Sequence, residues 1–169
     1  LRCLLLPVLK KYRTRYPGVR LGISNHSTPQ AIEALKNGTA DIAVVTAPTV
    51  LSPMLTETEI KEVRETAICS PAFSELLGRR VSLSELVKYP LISLGKETKS
   101  FEFYAGFFKS CGQEYKPDIE AFTADQILPM VEADLGIGFV PREFVHPSDN
   151  VEMIELAEEI PRRSICLIK

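Results

Sequence analysis

Val19-Arg20-Leu21-Gly22-Ile23-Ser24, then Ser27-Thr28-Pro29-Gln30-Ala31-Ile32-Glu33-Ala34-Leu35-Lys36-Asn37-Gly38, then Ile42-Ala43-Val44-Val45: these three runs decide the fold class. The first alternates apolar and polar side chains, the period of an extended strand. The second opens on Ser27 with Gln30 three residues on, a capping box, and Pro29 suits the first helical turn. Ile32 and Leu35 form its inward stripe, and Asn37-Gly38 supplies a left-handed stop. The third is a short continuous apolar run, as expected of a strand buried on both faces of a parallel sheet. Val19 to Val45 therefore predicts one βαβ unit.

The same alternation continues outward. Upstream, Leu4, Leu5, Val8, Leu9 and Tyr12 recur at helical spacing among Lys10, Lys11, Arg13 and Arg15, and Tyr16-Pro17-Gly18 breaks the helix. Downstream, Leu55 to Ser70 reads as extended segments. Ser82-Leu83-Ser84-Glu85 is a second capping box before a short helix, and Pro90 to Leu94 is a short strand. Phe101, Tyr104, Phe107 and Phe108 give Ser100 to Cys111 a helical stripe of core type. Ile119 to Phe122 reads as a strand, Thr123-Ala124-Asp125-Gln126 as a third capping box, and Ile127, Met130 and Val131 as the buried face of its helix. Gly136 to Pro141 is a strand entered where glycines permit close packing. Val151 to Leu156 and Ser164 to Ile168 are late strands. The whole predicts an α/β protein with mostly parallel sheets. If the chain forms two lobes, Thr66 to Ser70 and the run after Pro141 are the expected crossings.

The 169 residues are 45% hydrophobic and 25% charged, with 8% aromatic residues and no Trp. These are ordinary values for a globular chain with one or two cores. A net charge of −2 argues against a grip on a phosphate backbone. Lys10-Lys11 and Arg79-Arg80 read as solvated faces, as do Glu57/Glu59 and Glu158/Glu159. Cys3, Cys69, Cys111 and Cys166 are scattered and read as small buried hydrophobes of a reducing, cytoplasmic compartment. His26 and His146 are too isolated for a zinc site. No apolar run reaches membrane-spanning length and no basic leader is visible. The start at Leu1, inside a helical pattern, points to a piece of a longer protein.

Three loops that precede helices share one design. They are Asn25-His26-Ser27-Thr28, Glu97-Thr98-Lys99-Ser100 and Phe122-Thr123-Ala124-Asp125. Each sets hydroxyls and free N–H groups at a helix start, where anions are favoured. Convergence of the three would make a pocket for a small anionic or hydroxylated molecule. His26 reads equally as a ligand contact or a plain loop residue. Catalysis is not expected. There is no Gly-x-Ser-x-Gly elbow and no phosphate-cradling loop, and Gly136-Ile137-Gly138 lacks both the third glycine and the preceding strand of a dinucleotide fingerprint. No cofactor or metal is expected.

Leu5-Leu6-Pro7-Val8-Leu9 followed by Tyr16-Pro17-Gly18-Val19-Arg20-Leu21 resembles the helix and strand entry of LysR-type regulators. So do Leu35 to Ala43, Pro90-Leu91-Ile92 and Gly136-Ile137-Gly138-Phe139-Val140-Pro141, in the right order over nearly the whole chain. The resemblance implies the effector-binding domain of such a bacterial transcriptional regulator. Its fold would be of the type-2 periplasmic-binding-protein kind, two Rossmann-like lobes joined by crossover strands. Residues 1–68 with 144–169 would form the first lobe and 69–143 the second, with the winged helix-turn-helix outside this chain. The strand that usually precedes the first helix, and the usual last helix, are also missing from the pattern.

The resemblance further implies a small-molecule effector held between the lobes by Asn25, His26, Ser27, Thr28, Thr46, Thr98, Ser100, Thr123 and Phe139. The hydroxyl-rich helix starts point to a carboxylate. A homodimer or homotetramer is implied, with DNA bound only through the missing N-terminal domain. The helix near Leu5 to Tyr12 and the Phe-rich helix after Ser100 are candidate interface elements. Two other readings share the fold: a solute receptor of a transporter, and an enzyme on the same bilobal frame.

Overall fold

The structure, a computed structural model, describes residues 5–47, 49 and 53–169. Leu4 of the first helical stripe and Cys3 lie outside these residues. In chain order the elements are α1 (Leu5–Arg15), α2 (Thr28–Lys36), β1 (Ala43–Thr46), β2 (Glu57–Val63), β3 (Glu65–Cys69), β4 (Arg80–Val81), α3 (Leu83–Leu86) and β5 (Ile92–Leu94). They continue with α4 (Lys99–Ser110), β6 (Ile119–Ala121), α5 (Ile127–Glu132), β7 (Gly138–Pro141), β8 (Glu152–Leu156) and β9 (Arg163–Ile168).

Two sheets organise them. The first runs β1-β9-β2. The second runs β4-β8-β3-β7, and a parallel bridge from Leu91 to Ile137 joins it to the β5-β6 pair. The Ile92 N–H donates to the Ile137 carbonyl at 2.8 Å, and the Ile137 N–H to that of Pro90 at 2.8 Å, which closes this join.

The expectation of mostly parallel sheets does not hold. Four ladders are antiparallel (β1-β9, β2-β9, β3-β7 and β3-β8) and two are parallel (β4-β8 and β5-β6). An apolar run signals burial and carries no strand direction. The run at Ile42 shows this, because β1 pairs antiparallel with β9 and Ile42 itself is 57% exposed. The run expected as a strand over Val19 to Ser24 joins no ladder, and Val19, Leu21 and Ile23 face solvent. Period-two alternation fixes two faces of an extended chain; a strand also needs a neighbour, and the described residues place none beside it. The predicted βαβ unit is therefore a helix followed by one paired strand.

The sheets also place the crossings differently. β3, which includes Thr66 to Cys69, already belongs to the second sheet, as does β8. The chain passes from the first sheet to the second between Val63 and Glu65, and returns between Leu156 and Arg163. Residues 144–169 are thus divided between the sheets, because β8 takes its hydrogen bonds from β3 and β4 while β9 takes its own from β1 and β2.

The second sheet is clothed on both faces. Tyr104, Phe107 and Phe108 of α4 pack with Tyr115, Phe139, Ala67 and Ile154 on one side. Ile127 and Val131 of α5 pack with Ile68, Val140 and Ile92 on the other. Each fully buried phenylalanine contributes about 1.5–3 kcal/mol. The glycines of the β7 entry are required here. A Cβ on Gly138 would stand 2.6 Å from Ile127 Cγ2, and one on Gly136, whose φ is +153°, would stand 2.4 Å from the Pro90 carbonyl oxygen. The first sheet has a smaller core in which Ile32 of α2 covers Ala43, Val45 and Ile168. α1 buries none of its residues; Leu6, Val8 and Tyr12 are 45%, 59% and 41% exposed.

Two local expectations resolve differently in detail. Ser82 does begin α3, but its hydroxyl makes no cap bond to the helix. Glu85 is drawn instead to Arg79, and the carboxylate of Glu158 accepts the Leu83 N–H at 3.1 Å. Glu158 therefore caps a helix from the other end of the chain and is not a plain solvated acid. Cys69 and Cys166 are buried as expected, and burial pushes both thiols up to about 11.

Candidate functional site

β5 and β6 run parallel and in register, Ile92 opposite Ile119 and Leu94 opposite Ala121. Their carboxyl ends therefore lie side by side, and the loops that leave them carry Thr98 with Ser100 and Thr123. Thr98 is the N-cap of α4: its hydroxyl accepts the Phe101 N–H at 3.1 Å and donates to the Gly95 carbonyl at 2.8 Å. The N–H groups of Lys99 and Ser100, ahead of that cap bond, remain at the helix start. Beside it, Gln126 Oε1 accepts the N–H groups of Phe122 and Thr123 at 2.8 and 3.1 Å, the return arm of the predicted capping box. Glu97 lies against Gly95 in the first of these loops, and Lys99 pairs with Glu102 at 2.6 Å.

On the first sheet the other predicted residues gather at one end. α2 packs on β1 and is joined to it by a short turn, so the start of α2 and the end of β1 point the same way. The start of α2 carries Asn25 and His26, both exposed, with Ser27 and Thr28, both half-buried. Gln30 Oε1 accepts the Ser27 N–H at 3.0 Å, which fixes the approach. Thr46 ends β1, opposite Ile165 of β9, and the Ala47 N–H donates to the Ser164 carbonyl at 2.8 Å.

β9 then connects the two groups. Arg163, its first residue, is 5% exposed and reaches across to α4. Its Nη1 donates to Ser100 Oγ at 3.3 Å and meets Glu65 Oε1 at 3.4 Å, and its guanidinium lies 4.5 Å from the Phe103 ring centre. The other oxygen of Glu65 accepts the Tyr104 hydroxyl at 2.9 Å. Glu65 begins β3 and Arg163 begins β9, so this buried pair stands at both crossings between the sheets. Burial is the largest influence on the Glu65 carboxyl and holds it above its ordinary value, against the pull of Arg163 and the Tyr104 hydroxyl. Arg163 Nε and Nη2 are buried and have no partner among the described residues. A buried donor left unpaired costs about 1–3 kcal/mol. Sequence reading passed over Arg163 and Glu65 because each looks like one more charge beside a strand; only the pairing of distant segments reveals them.

Phe139, the remaining predicted contact, is 3% exposed and packs at 4.9 Å from Tyr104 and 5.7 Å from Phe108. It supports α4 from the core and offers no open surface. Two cavities among the described residues border Glu65. One, of about 470 Å³, is lined by Thr66, Arg142, Met153, Glu155 and Glu158 among others, and a smaller one of about 180 Å³ lies near Arg64, Arg142 and Arg162. Neither contains any of the nine predicted contacts. Among the described residues no cluster of His, Cys, Asp or Glu has the makings of a metal centre, and no helix is long and apolar enough to cross a membrane.

Comparison with known proteins agrees with this arrangement. The family model described as LysR substrate binding domain matches residues 2–169. The HTH-type transcriptional regulator AlsR of Bacillus subtilis (strain 168) is 26% identical over 139 residues, covering 80% of this chain and 45% of AlsR. The HTH-type transcriptional regulator CysB of Haemophilus influenzae is 30% identical over 141 residues, 82% of this chain and 43% of CysB. This chain thus spans less than half the length of these relatives. Among solved structures, the Synechocystis PCC6803 CcmR regulatory domain in complex with 2-PG superposes with a TM-score of 0.85 at 12% identity, over 98% of this chain and 80% of that one. The cofactor-binding domain of the Cbl transcriptional regulator gives 0.80 at 20% identity, over 99% and 74%.

Proposed function

Since this chain belongs to the LysR substrate-binding domain family, we propose that it senses a small-molecule effector for a transcriptional regulator and holds that molecule between its two sheets. The observation that carries the site is the shared end of β5 and β6, which sets the α4 start and the Thr123 loop side by side. Thr28 and Thr46 complete the pocket from the first sheet, and Asn25, His26 and Ser27 border it. Phe139 acts from behind. Ligands of open α/β sheets sit beyond the carboxyl ends of strands, which is where these residues stand.

The two lobes follow the sheets: residues up to Val63 with 163–169 on one side, and 65–156 on the other. An effector that prefers one arrangement of the lobes shifts the population of that arrangement and passes the change to the rest of the regulator. DNA contact, a homodimeric or homotetrameric assembly and a cytoplasmic location are proposed for that whole protein; the HTH-type transcriptional regulators among its relatives support the DNA contact. Those relatives favour a sensor over a transporter's solute receptor, and the absence of a paired acid and base among the predicted contacts favours a sensor over an enzyme.

A thermal-shift screen of metabolites tests the reading, with 2-PG, the ligand in the CcmR complex, among the first compounds. A bound compound at a hundred times its Kd raises stability by about 2.7 kcal/mol. Thr28→Ala and Thr98→Ala are each expected to weaken any compound found. Undiminished binding in both variants rejects this pocket.

A further inference from the structure

We infer that Arg163 is the charge partner of an anionic effector, a carboxylate seated at the first turn of α4. The inference rests on the pocket proposed above and adds the residue that selects the ligand's charge. α4 is a full-length helix whose start offers the Lys99 and Ser100 N–H groups and the Ser100 hydroxyl. A helix start alone favours anions only weakly. Here a buried arginine, only 5% exposed, points at the same turn and touches Ser100 at 3.3 Å.

Its pairing is incomplete in a telling way. Glu65 meets only Nη1, at 3.4 Å, and spends its other oxygen on Tyr104. An arginine fork is built for two parallel bonds to one carboxylate. Arg163 instead keeps Nε and Nη2 idle under the Phe103 ring. A second carboxylate can use that side of the fork while Glu65 keeps Nη1.

Both idle nitrogens are sealed from solvent, so an anion arriving at the α4 start gains the fork only as the Arg163–Ser100 contact opens. That contact joins β9 of the first sheet to α4 of the second. Ligand binding therefore exchanges an inter-sheet bond for a ligand bond, which gives the effector different contacts in two lobe arrangements. Lys96 and Glu97 occupy the same loop, and Lys99 is engaged with Glu102, so Arg163 is the buried cation at this helix start.

The test uses the purified chain with acetate, benzoate and succinate as sodium salts, the matching amides as neutral isosteres, and sodium chloride to control ionic strength. Thermal shift and calorimetry read binding. At least one acid is expected to raise Tm while its amide and chloride do not. Arg163→Lys keeps a charge beside Glu65 but loses the fork, and should weaken that acid about tenfold or more, 1.4 kcal/mol in affinity. The charge-free pair Glu65→Gln/Arg163→Gln guards against a folding defect and should abolish the response.

The inference is overturned if no acid binds, if an amide binds as well as its acid, or if both Arg163 variants bind like the parent. If Thr98→Ala and Ser100→Ala abolish binding while the Arg163 variants do not, the pocket stands without its proposed charge partner. If the Arg163 variants lose binding and the Thr98 and Ser100 variants keep it, the α4 start is the wrong seat and the inference falls with it.

Discussion

At the scale of single residues, two positions set firm constraints. Gly136 combines a φ of +153° with a Pro90 oxygen 2.4 Å from where a Cβ would stand, and that oxygen also accepts the Ile137 N–H that joins β5 to β7. Gly136→Ala must shift backbone on both sides. Urea unfolding is expected to show a loss of about 3 kcal/mol or more, from strain and overpacking together. Glu65 supplies a pH signature. Its folded carboxyl sits above the ordinary 4.5, chiefly through burial. The folded chain then holds the proton more tightly than the unfolded chain. This group's contribution is full below about pH 4.5 and is lost as pH rises through the folded value, with a slope of at most about 1.4 kcal/mol per pH unit. The stability difference between parent and Glu65→Gln, followed by urea titration across pH, should therefore fall on going from acid to neutral. A difference that grows over that range would show that the Arg163 attraction outweighs burial.

At the scale of elements, caps separate what sequence reports from what it misses. The capping boxes at Ser27 and Thr123 were legible because their patterns are local, and both form; Thr98, read only as a hydroxyl at a helix start, proves to be a cap as well. Thr98→Ala is expected to cost about 1 kcal/mol in chemical denaturation. Ser82 had an equally good local pattern, yet its cap bond is absent and Glu158 serves Leu83 from 75 residues away. Ser82→Ala should thus change stability by less than about 0.5 kcal/mol, and Glu158→Ala by about 1 kcal/mol, in the same assay. The reverse order would restore the local reading. The aromatic stripe of α4 and the tight glycines of β7 were readable for the same reason as the Ser27 and Thr123 boxes: periodicity and close approach act within a few residues. Strand direction, the unpaired run from Val19 to Ser24 and the Arg163–Glu65 pair were not, since each depends on a partner far along the chain.

At the scale of the molecule, the α/β class and the bilobal frame were legible from ordered motifs, whereas the crossings were not, because ladder partners decide which sheet a strand joins. The structure also separates the two helices offered as interface elements. α4 turns Tyr104, Phe107 and Phe108 into the core, so its stripe is already used. α1 buries nothing, and Leu6, Val8, Tyr12 and Tyr16 remain at 45%, 59%, 41% and 44% exposure. Exposed apolar residues grouped on α1 and just after it mark an association surface, and the homo-oligomeric assembly proposed above would supply a second copy of this domain as its occupant. Val8, the most exposed of the four, lies within that surface. A charge there must be desolvated on association, which costs about 3 kcal/mol, or roughly a hundredfold in dissociation constant. Sedimentation velocity over a concentration series should show the parent chain associating and Val8→Glu remaining monomeric. Circular dichroism of Val8→Glu should be unchanged, because α1 adds nothing to either core. A variant that associates as the parent does would move the interface away from α1.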